Sequence, residues 1–148
     1  MRNENELPRH DVWFELHGLE RIKKYNGPVY LEWLRTLPLV YMRADVCGHF
    51  PGGVAYPRED MLRQFGSFFF DSTVAWMLAK AISEQPACIG LWGIEASAGE
   101  YAAQATSLRH FVQVARDRGI EVVVPPGCRL LDPMPLYFDE PESIAEHA

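Results

Sequence analysis

Cysteine is scarce in this chain: its 148 residues include only Cys47, Cys88 and Cys128, and no two of them form a CxxC pair. That count argues against a disulfide framework and against a zinc knuckle, and it fits a reducing cytoplasm. Long apolar runs are also missing. None approaches the roughly 18 residues that span a bilayer, and the first residues are too polar for a signal peptide. We therefore expect a cytoplasmic protein without a membrane partner.

Basic charge is in short supply as well. The chain has 14 Lys and Arg against 20 Asp and Glu, which gives a net charge of -6. Nucleic acids and anionic membranes are bound by basic patches, so neither is predicted as a partner. The densest basic cluster, Arg21 with Lys23 and Lys24, is interpreted as the solvated face of a helix.

The standard motifs for dinucleotides, phosphates and zinc are absent. The chain has no GxGxxG, GxxxxGK[ST], HExxH or HxxxH, so no cofactor and no protein-built metal site are predicted. Cys47 stands two residues before His49, and these are the residue types of a Cys/His nucleophile. That spacing in a loop does not ensure their contact, so a free structural thiol is the favoured interpretation.

What the chain does have is an alternation of strands and helices. Residues 87–94 and 120–124 are short apolar runs typical of buried strands. Residues 99–118 between them carry helical periodicity that ends at Gly119. Strand, helix and strand joined by short links predict a right-handed βαβ unit with parallel strands.

Two further strands and four helices are predicted before this unit. The clearest helix, 71–83, has an apolar stripe that includes Met77 and can be capped by Asp71 or Ser72. Residues 45–57 are predicted as an irregular loop. The other predicted strands are 11–17 and 37–43, and the other helices are 19–25, 29–36 and 58–64.

This order predicts an α/β fold, a three-layer α/β sandwich of Rossmann-like type with about four mainly parallel strands. The predicted strand order is second, first, third, fourth. One domain is expected over 1–148, with a polar arm at 1–9, the core at 10–131, and a loop with an acidic tail at 132–148.

In open parallel sheets, ligands bind beyond the carboxyl ends of the strands. The predicted strand ends carry His17, the segment 43–49, Glu95 with Ser97, and Pro126 with Gly127. Helices that start at the same edge add Ser72, Thr73, Glu100, Tyr101 and Gln104. We predict that Glu95, Glu100 and His17 are catalytic and that Gln104, Tyr101, Ser97, Ser72 and Thr73 bind the ligand.

Alternatives remain open for several of these residues. Glu100 and Gln104 lie four apart on one helix face, where they could bind ribose or sugar hydroxyls, or only complement the helix dipole and face solvent. The two glutamates could also act as general acid and base or hold a divalent cation. Because carboxylates repel phosphate, any phosphates are expected at residues 71–73 or at Gly52-Gly53. His17 could be a general base or only bond a loop carbonyl.

The motifs together resemble a family of tailed-phage and prophage proteins. The resemblance rests on Asp11 to His17 (D-V-W-F-E-L-H), Ser72 to Ala79, Gly90 to Glu95 (G-L-W-G-I-E) and Glu100 to Gln104 (E-Y-A-A-Q), and it covers most of residues 10–131. The family pattern is approximately D-R-W-F-E-L-H, W-G-I-D-M and E-Y-x-x-Q-R. It implies a Rossmann-like nucleotide-binding protein, reminiscent of sialyltransferase-like folds.

This chain departs from the family pattern in three ways. It begins just before the D-x-W-F-E-L-H strand, so the family's first strand and glycine turn are expected to be missing. It has Glu95 where the family has Asp, and Ala105 where the family has Arg. The loss of the turn and of the arginine removes expected phosphate contacts.

Two functions follow as hypotheses. The first is binding of a nucleotide or nucleotide-sugar, with transferase activity as an option. The second is a non-catalytic phage accessory or anti-defence protein that binds a host protein or sequesters a small nucleotide. The missing first strand would leave a sheet edge free, which predicts a homodimer.

Overall fold

The structure is a computed structural model that describes residues 10–94 and 100–133, with the backbone alone at residues 100–102. Its internal contacts divide the chain into two compact units, Met1–Ser83 and Glu84–Ala148. Each unit contains its own parallel sheet, so each is described by itself.

The described part of the first unit, residues 10–83, contains three strands and three helices. In chain order these are β1 (Trp13–Glu15), α1 (Leu19–Thr36), β2 (Val40–Met42), β3 (Gly53–Ala55), α2 (Arg58–Phe65) and α3 (Thr73–Ser83), with a 3₁₀ turn at Cys47–His49. Helix α1 is interrupted at Gly27, which has a φ of 73°, and Pro28 follows it. The predicted break between two helical segments is therefore confirmed.

The three strands of this unit form one parallel sheet in the order β1-β2-β3. Trp13 and Glu15 are paired with Val40 and Met42, so these four residues share one face of the sheet. Phe14 is paired with Tyr41 on the opposite face.

Helix α1 covers the Trp13 face of the sheet. Its buried residues Ile22, Leu31 and Leu34 form one apolar cluster with Val40 and Met42. Each such Leu or Ile contributes about 1.5–3 kcal/mol by its removal from water. The opposite face is aromatic: the Phe14 ring stacks on Tyr41 at 5.2 Å, and the Tyr56 ring meets both of them edge-on.

Strand β3 was not predicted, since residues 45–57 were expected to be irregular. The Tyr56 amide donates to the Met42 carbonyl at 2.8 Å and the Val40 amide to the Gly52 carbonyl at 3.0 Å. A Cβ on Gly52 would stand 2.1 Å from the Leu37 carbonyl oxygen, and one on Gly53 would stand 2.3 Å from the Cys47 oxygen. Glycine is therefore needed here so that neighbouring backbone segments can approach each other.

The second unit is the predicted βαβ unit. It contains β4 (Cys88–Gly90), α4 (Glu100–Asp117) and β5 (Glu121–Val123), with β4 and β5 paired in parallel. Gly119 lies two residues beyond the end of α4, and its φ of 80° does not continue the helix. The buried side chains of α4 recur with the predicted helical periodicity, and they include Leu108, Phe111, Val112 and Ala115.

The mixed α/β class and the parallel strand pairs are confirmed, whereas several details differ. The described residues form five strands, three in one sheet and two in another. A single four-stranded Rossmann-like sandwich is therefore not confirmed. The buried face of α3 is also rotated from the predicted stripe, because Ala75, Leu78, Ala79 and Ile82 are buried while Met77 is 39% exposed. The single-domain prediction stays a prediction.

Candidate functional site

A cavity of about 520 Å³ lies at the carboxyl end of the three-stranded sheet, and we call it the edge pocket. Each strand supplies residues that directly follow its last paired position, and α2 and α3 complete the lining. The lining residues are Leu16, Arg43, Ala44, Asp45, Tyr56, Arg58 and Trp76. This is the position at which open parallel sheets bind ligands.

The edge pocket contains two arginines, each paired with a nearby carboxylate. Arg43 donates from Nε to Asp45 Oδ1 at 2.9 Å and from Nη2 to Asp45 Oδ2 at 2.7 Å. These bonds hold the pKa of Asp45 below its ordinary value. Arg58 pairs with Glu59. All four side chains are more than half exposed, so a ligand anion can replace either carboxylate.

Aromatic rings form the apolar wall of the pocket. The Tyr56 ring meets the Trp76 ring edge-on at 5.3 Å, and the Tyr56 hydroxyl donates to the Trp76 carbonyl at 2.6 Å. Phe70 stacks against Trp76 at 3.8 Å. Burial raises the pKa of Tyr56, which therefore stays a neutral donor. These contacts fix both wall residues before any ligand binds.

On the opposite face of β1, four side chains form a hydrogen-bonded chain that we call the relay. Trp13 Nε1 donates to the Tyr30 hydroxyl at 3.1 Å, and Tyr30 donates to Glu15 Oε2 at 2.6 Å. The other oxygen, Glu15 Oε1, lies 2.6 Å from His17 Nδ1 and also accepts from the His17 amide at 3.3 Å. Burial, followed by the bond to Glu15, raises the pKa of Tyr30.

A smaller recess of about 180 Å³ adjoins the relay. It is formed by the end of β1 and the first half of α1, and its lining consists of Glu15, His17, Arg21, Ile22, Tyr25 and Asn26. Glu15 is buried, with its side chain 8% exposed, whereas the His17 side chain is 43% exposed. The recess therefore places an accessible imidazole above a buried carboxylate.

The predicted site residues are divided between the two units. His17 lies in the relay, and Ser72 caps α3, since its hydroxyl accepts from the Ala75 amide at 3.2 Å. Thr73 opens the same helix, one turn before Trp76. Ser72 was one of the two predicted capping residues, and the structure selects it over Asp71.

The remaining predicted residues belong to the second unit. Glu95 and Ser97 lie outside the described residues, and Glu100 and Tyr101 begin α4 as backbone only. Gln104 is half-buried in the second turn of that helix. Their roles stay predictions. The expected phosphate loop at Gly52-Gly53 is not supported, because these glycines lie at the amino end of β3, at the sheet edge opposite the pocket.

Several residues of the observed sites were not predicted from the sequence. Tyr56 and Arg58 follow β3, so their position could not be seen while that strand was unrecognised. Trp76 was not part of the apolar stripe predicted for α3. Tyr30 reaches Glu15 across 15 residues of sequence, and only the alternation of β1 hinted that Glu15 and His17 share a face.

Other chemistry expected from the sequence can be compared with the structure directly. Cys47 contacts the Ala44 carbonyl at 3.5 Å, in keeping with a structural thiol. Within residues 10–94 and 100–133, no three His, Cys, Asp or Glu side chains gather as metal ligands. In the same part of the chain, no helix has both the length and the apolar character needed to cross a membrane.

Comparisons with protein-family models, with curated proteins and with solved structures give no match. The resemblance to phage proteins therefore stays a prediction. Function is inferred from the geometry of the edge pocket and of the relay.

Proposed function

We propose that the protein binds a nucleotide or nucleotide-sugar in the edge pocket. The observation that carries this proposal is the convergence of Arg43, Arg58, Tyr56 and Trp76 at the carboxyl end of three parallel strands. The cavity volume lies within the range of about 300–1,000 Å³ that is usual for small-molecule sites.

The two arginines would bind the phosphates. A guanidinium matches two phosphate oxygens with two parallel N–H donors, and such charge-assisted bonds are about twice as strong as neutral ones. Arg43 already holds this bidentate geometry toward Asp45, so it is preorganised for an anion. Arg58 adds a second cation from α2.

The aromatic wall would hold the base or sugar. Tyr56 and Trp76 are fixed by contacts with each other and with Phe70, so they lose little freedom when a planar ring packs against them. The combination of arginines for phosphates with an aromatic wall for a base or sugar supports a nucleotide ligand rather than a simple inorganic anion.

Broader hypotheses about fold, activity and origin are compatible with this proposal, but nucleotide binding does not depend on them. Helix α1 on one face of the sheet and α3 on the other support a Rossmann-like first unit. Transfer of a sugar or nucleotidyl group would make the protein a transferase. The phage origin and the cytoplasmic location are kept as hypotheses from the sequence.

A second candidate is docking of a protein partner at the same surface. Trp, Tyr and Arg are also the residues that dominate protein interfaces. Phe68, on the segment just before Phe70, is 90% exposed. A homodimer through the β1 edge of the described three-stranded sheet belongs to this alternative.

Thermal unfolding with a panel of nucleotides and nucleotide-sugars tests the proposal. A ligand at 100 times its Kd stabilises the folded state by about 2.7 kcal/mol. For a chain of this size that corresponds to a rise in the midpoint of roughly 5–11 °C. We expect at least one member of the panel to produce such a shift.

Two matched variants identify the site. Arg58→Gln should reduce the affinity about tenfold or more, since a charged hydrogen bond to phosphate is lost. Arg63→Gln is the control, because Arg63 lies on the same helix, pairs with Asp60, and does not line the pocket. A panel that leaves the midpoint unchanged, or an equal effect of both variants, would exclude nucleotide binding here and favour the protein partner.

A further inference from the structure

Trp13 sets the direction of the first two hydrogen bonds in the relay. An indole N–H can only donate, so the Tyr30 oxygen accepts from Trp13 and the Tyr30 proton must point elsewhere. The partner available to it is Glu15 Oε2, at 2.6 Å. Glu15 therefore receives a hydrogen bond on this oxygen and acts as an acceptor.

The same logic assigns the tautomer of His17. Both oxygens of an ionised Glu15 can only accept, so the His17 nitrogen that lies 2.6 Å from Oε1, Nδ1, then carries a proton. In neutral imidazole the other nitrogen, Nε2, is then an acceptor with a free lone pair. Because the Glu15 side chain is only 8% exposed, water has little access to compete for this bond.

Tyr30 is itself held in place by aromatic contacts. Its ring stacks on Trp33 at 5.8 Å, and Trp33 meets the Trp13 ring edge-on at 4.9 Å. Both tryptophans pack against the apolar cluster under α1. The relay is thus built into the core of the first unit, while its last member, His17, is partly exposed in the recess.

The recess offers complementary groups around that imidazole. Arg21 makes no ion pair within the part of the chain that the structure describes, and its guanidinium lies 5.9 Å from the centre of the Tyr25 ring. Asn26 adds an amide. The volume of about 180 Å³ is about a third of the 520 Å³ of the edge pocket, which suits a small ligand.

We propose that this recess is a second binding site, for a small hydroxylated oxyanion such as a phosphate ester or a hydroxy acid. Arg21 pairs with the anionic group, and the ligand hydroxyl donates its hydrogen bond to His17 Nε2. Glu15 and Tyr30 are positioning residues, because they act only through His17.

This site is separate from the edge pocket. Glu15 and His17 point to the α1 face of β1, whereas Phe14 and Leu16 point to the α3 face, where Leu16 lines the edge pocket. The inference therefore does not depend on nucleotide binding. A purely structural relay would fix the same tautomer but would not bind a ligand.

The tautomer is tested by nitrogen-detected NMR of the full-length protein at about pH 8.5, above the ordinary range of histidine titration. We expect His17 to show a protonated Nδ1 and an unprotonated Nε2. The opposite tautomer would overturn the proposal, since Nε2 could not then accept a hydroxyl proton.

Binding is tested with two pairs of probes that differ in their hydroxyl groups. Glycerol 3-phosphate is compared with propyl phosphate, and glycolate is compared with acetate. The hydroxylated member should bind about 2- to 10-fold more tightly, the effect of one hydrogen bond, and should shift the His17 signals. The pair that binds identifies a phosphate ester or a hydroxy acid as the ligand. Equal binding within both pairs, or no change at His17 at millimolar concentration, would overturn the proposal.

Variants distinguish the roles of the recess residues. Arg21→Gln should weaken the binding of the hydroxylated probe and of its partner alike. Lys24→Gln should leave both affinities unchanged, because Lys24 approaches the Tyr25 ring at 5.3 Å but does not line the recess. Glu15→Gln should lower the fraction of the Nδ1-protonated tautomer and the preference for the hydroxyl. Should that variant fail to fold, Tyr30→Phe, which removes one bond to Glu15, should produce a smaller change in the same direction. An unchanged tautomer and preference in a folded Glu15→Gln protein would refute the positioning role.

Discussion

Asp45 occupies the place that a ligand phosphate would take on Arg43, so its removal is predicted to strengthen nucleotide binding. Both oxygens of its carboxylate accept from Arg43, in the bidentate geometry that phosphate also uses. A phosphate that binds Arg43 must displace this carboxylate and must tolerate its charge nearby. Asp45→Asn removes that charge and weakens the competing bonds, without enlarging or filling the pocket.

The size of the effect follows from the exposure of the pair. The Arg43 side chain is 52% exposed and the Asp45 side chain is 63% exposed, so theirs is a surface ion pair. Pairs of this kind contribute little, and the affinity for a nucleoside diphosphate should rise by about 1.4- to 5-fold. The gain should shrink at high salt, because exposed charges are screened.

Isothermal titration with UDP or ADP at low and high salt measures this gain. Asp60→Asn is the matched control, because Asp60 pairs with Arg63 on α2 and lies outside the pocket lining. A lower affinity in Asp45→Asn would show that the carboxylate binds the ligand or orients Arg43 productively. An equal gain in the control would reduce the effect to net charge, and either result would refute the displacement model.

Two further predictions concern stability. Burial raises the pKa of Tyr30 above the ordinary tyrosine value of 10.0, so the unfolded chain loses the phenolic proton first and the free energy of unfolding should fall as the pH rises above 10.0. Tyr30→Phe should lessen that decline in urea unfolding curves, and parallel curves for the two proteins would contradict it. Gly53→Ala should destabilise by about 1–3 kcal/mol, because its Cβ would stand 2.3 Å from a backbone oxygen. Gly48→Ala, whose Cβ meets nothing within 4 Å, should change stability by less than about 0.5 kcal/mol, and similar losses in both variants would refute the close-approach role of Gly53.

Local pattern made most of the elements predictable. Helix α4 was placed within one residue at each end, because apolar periodicity and the glycine at its end agree. The break at Gly27 was also predictable, because glycine and proline together interrupt a helix. Four of the five strands were found because each is an apolar or alternating run.

Long-range pairing was harder to predict. Strand β3 has only three residues and begins at the second of two glycines, so it carries little strand signal. Its pairing with β2 is what makes it a strand. The division into two sheets likewise depends on contacts between distant segments. The predicted stripe of α3 included Met77, because periodicity alone does not show which side of a largely apolar helix meets the sheet.

The sites show the same limit. His17 and segment 43–49 were placed at strand ends from the sequence, and Arg43 and Asp45 do line the edge pocket. Tyr56 and Arg58 could not be included without β3. The relay depends on Tyr30, which reaches Glu15 only because α1 lies across the Trp13 face of the sheet. A sequence pattern identifies neighbours along an element, whereas these contacts join different elements.

The central claim is that a phosphate-bearing ligand binds at the carboxyl edge of the three-stranded sheet. The most direct measurement is amide NMR of the protein during titration with a nucleoside diphosphate. The account predicts that the largest shifts occur at residues that line the edge pocket, above all Ala44, Tyr56 and Trp76. Shifts confined to residues 84–133, or none at saturating ligand, would contradict it.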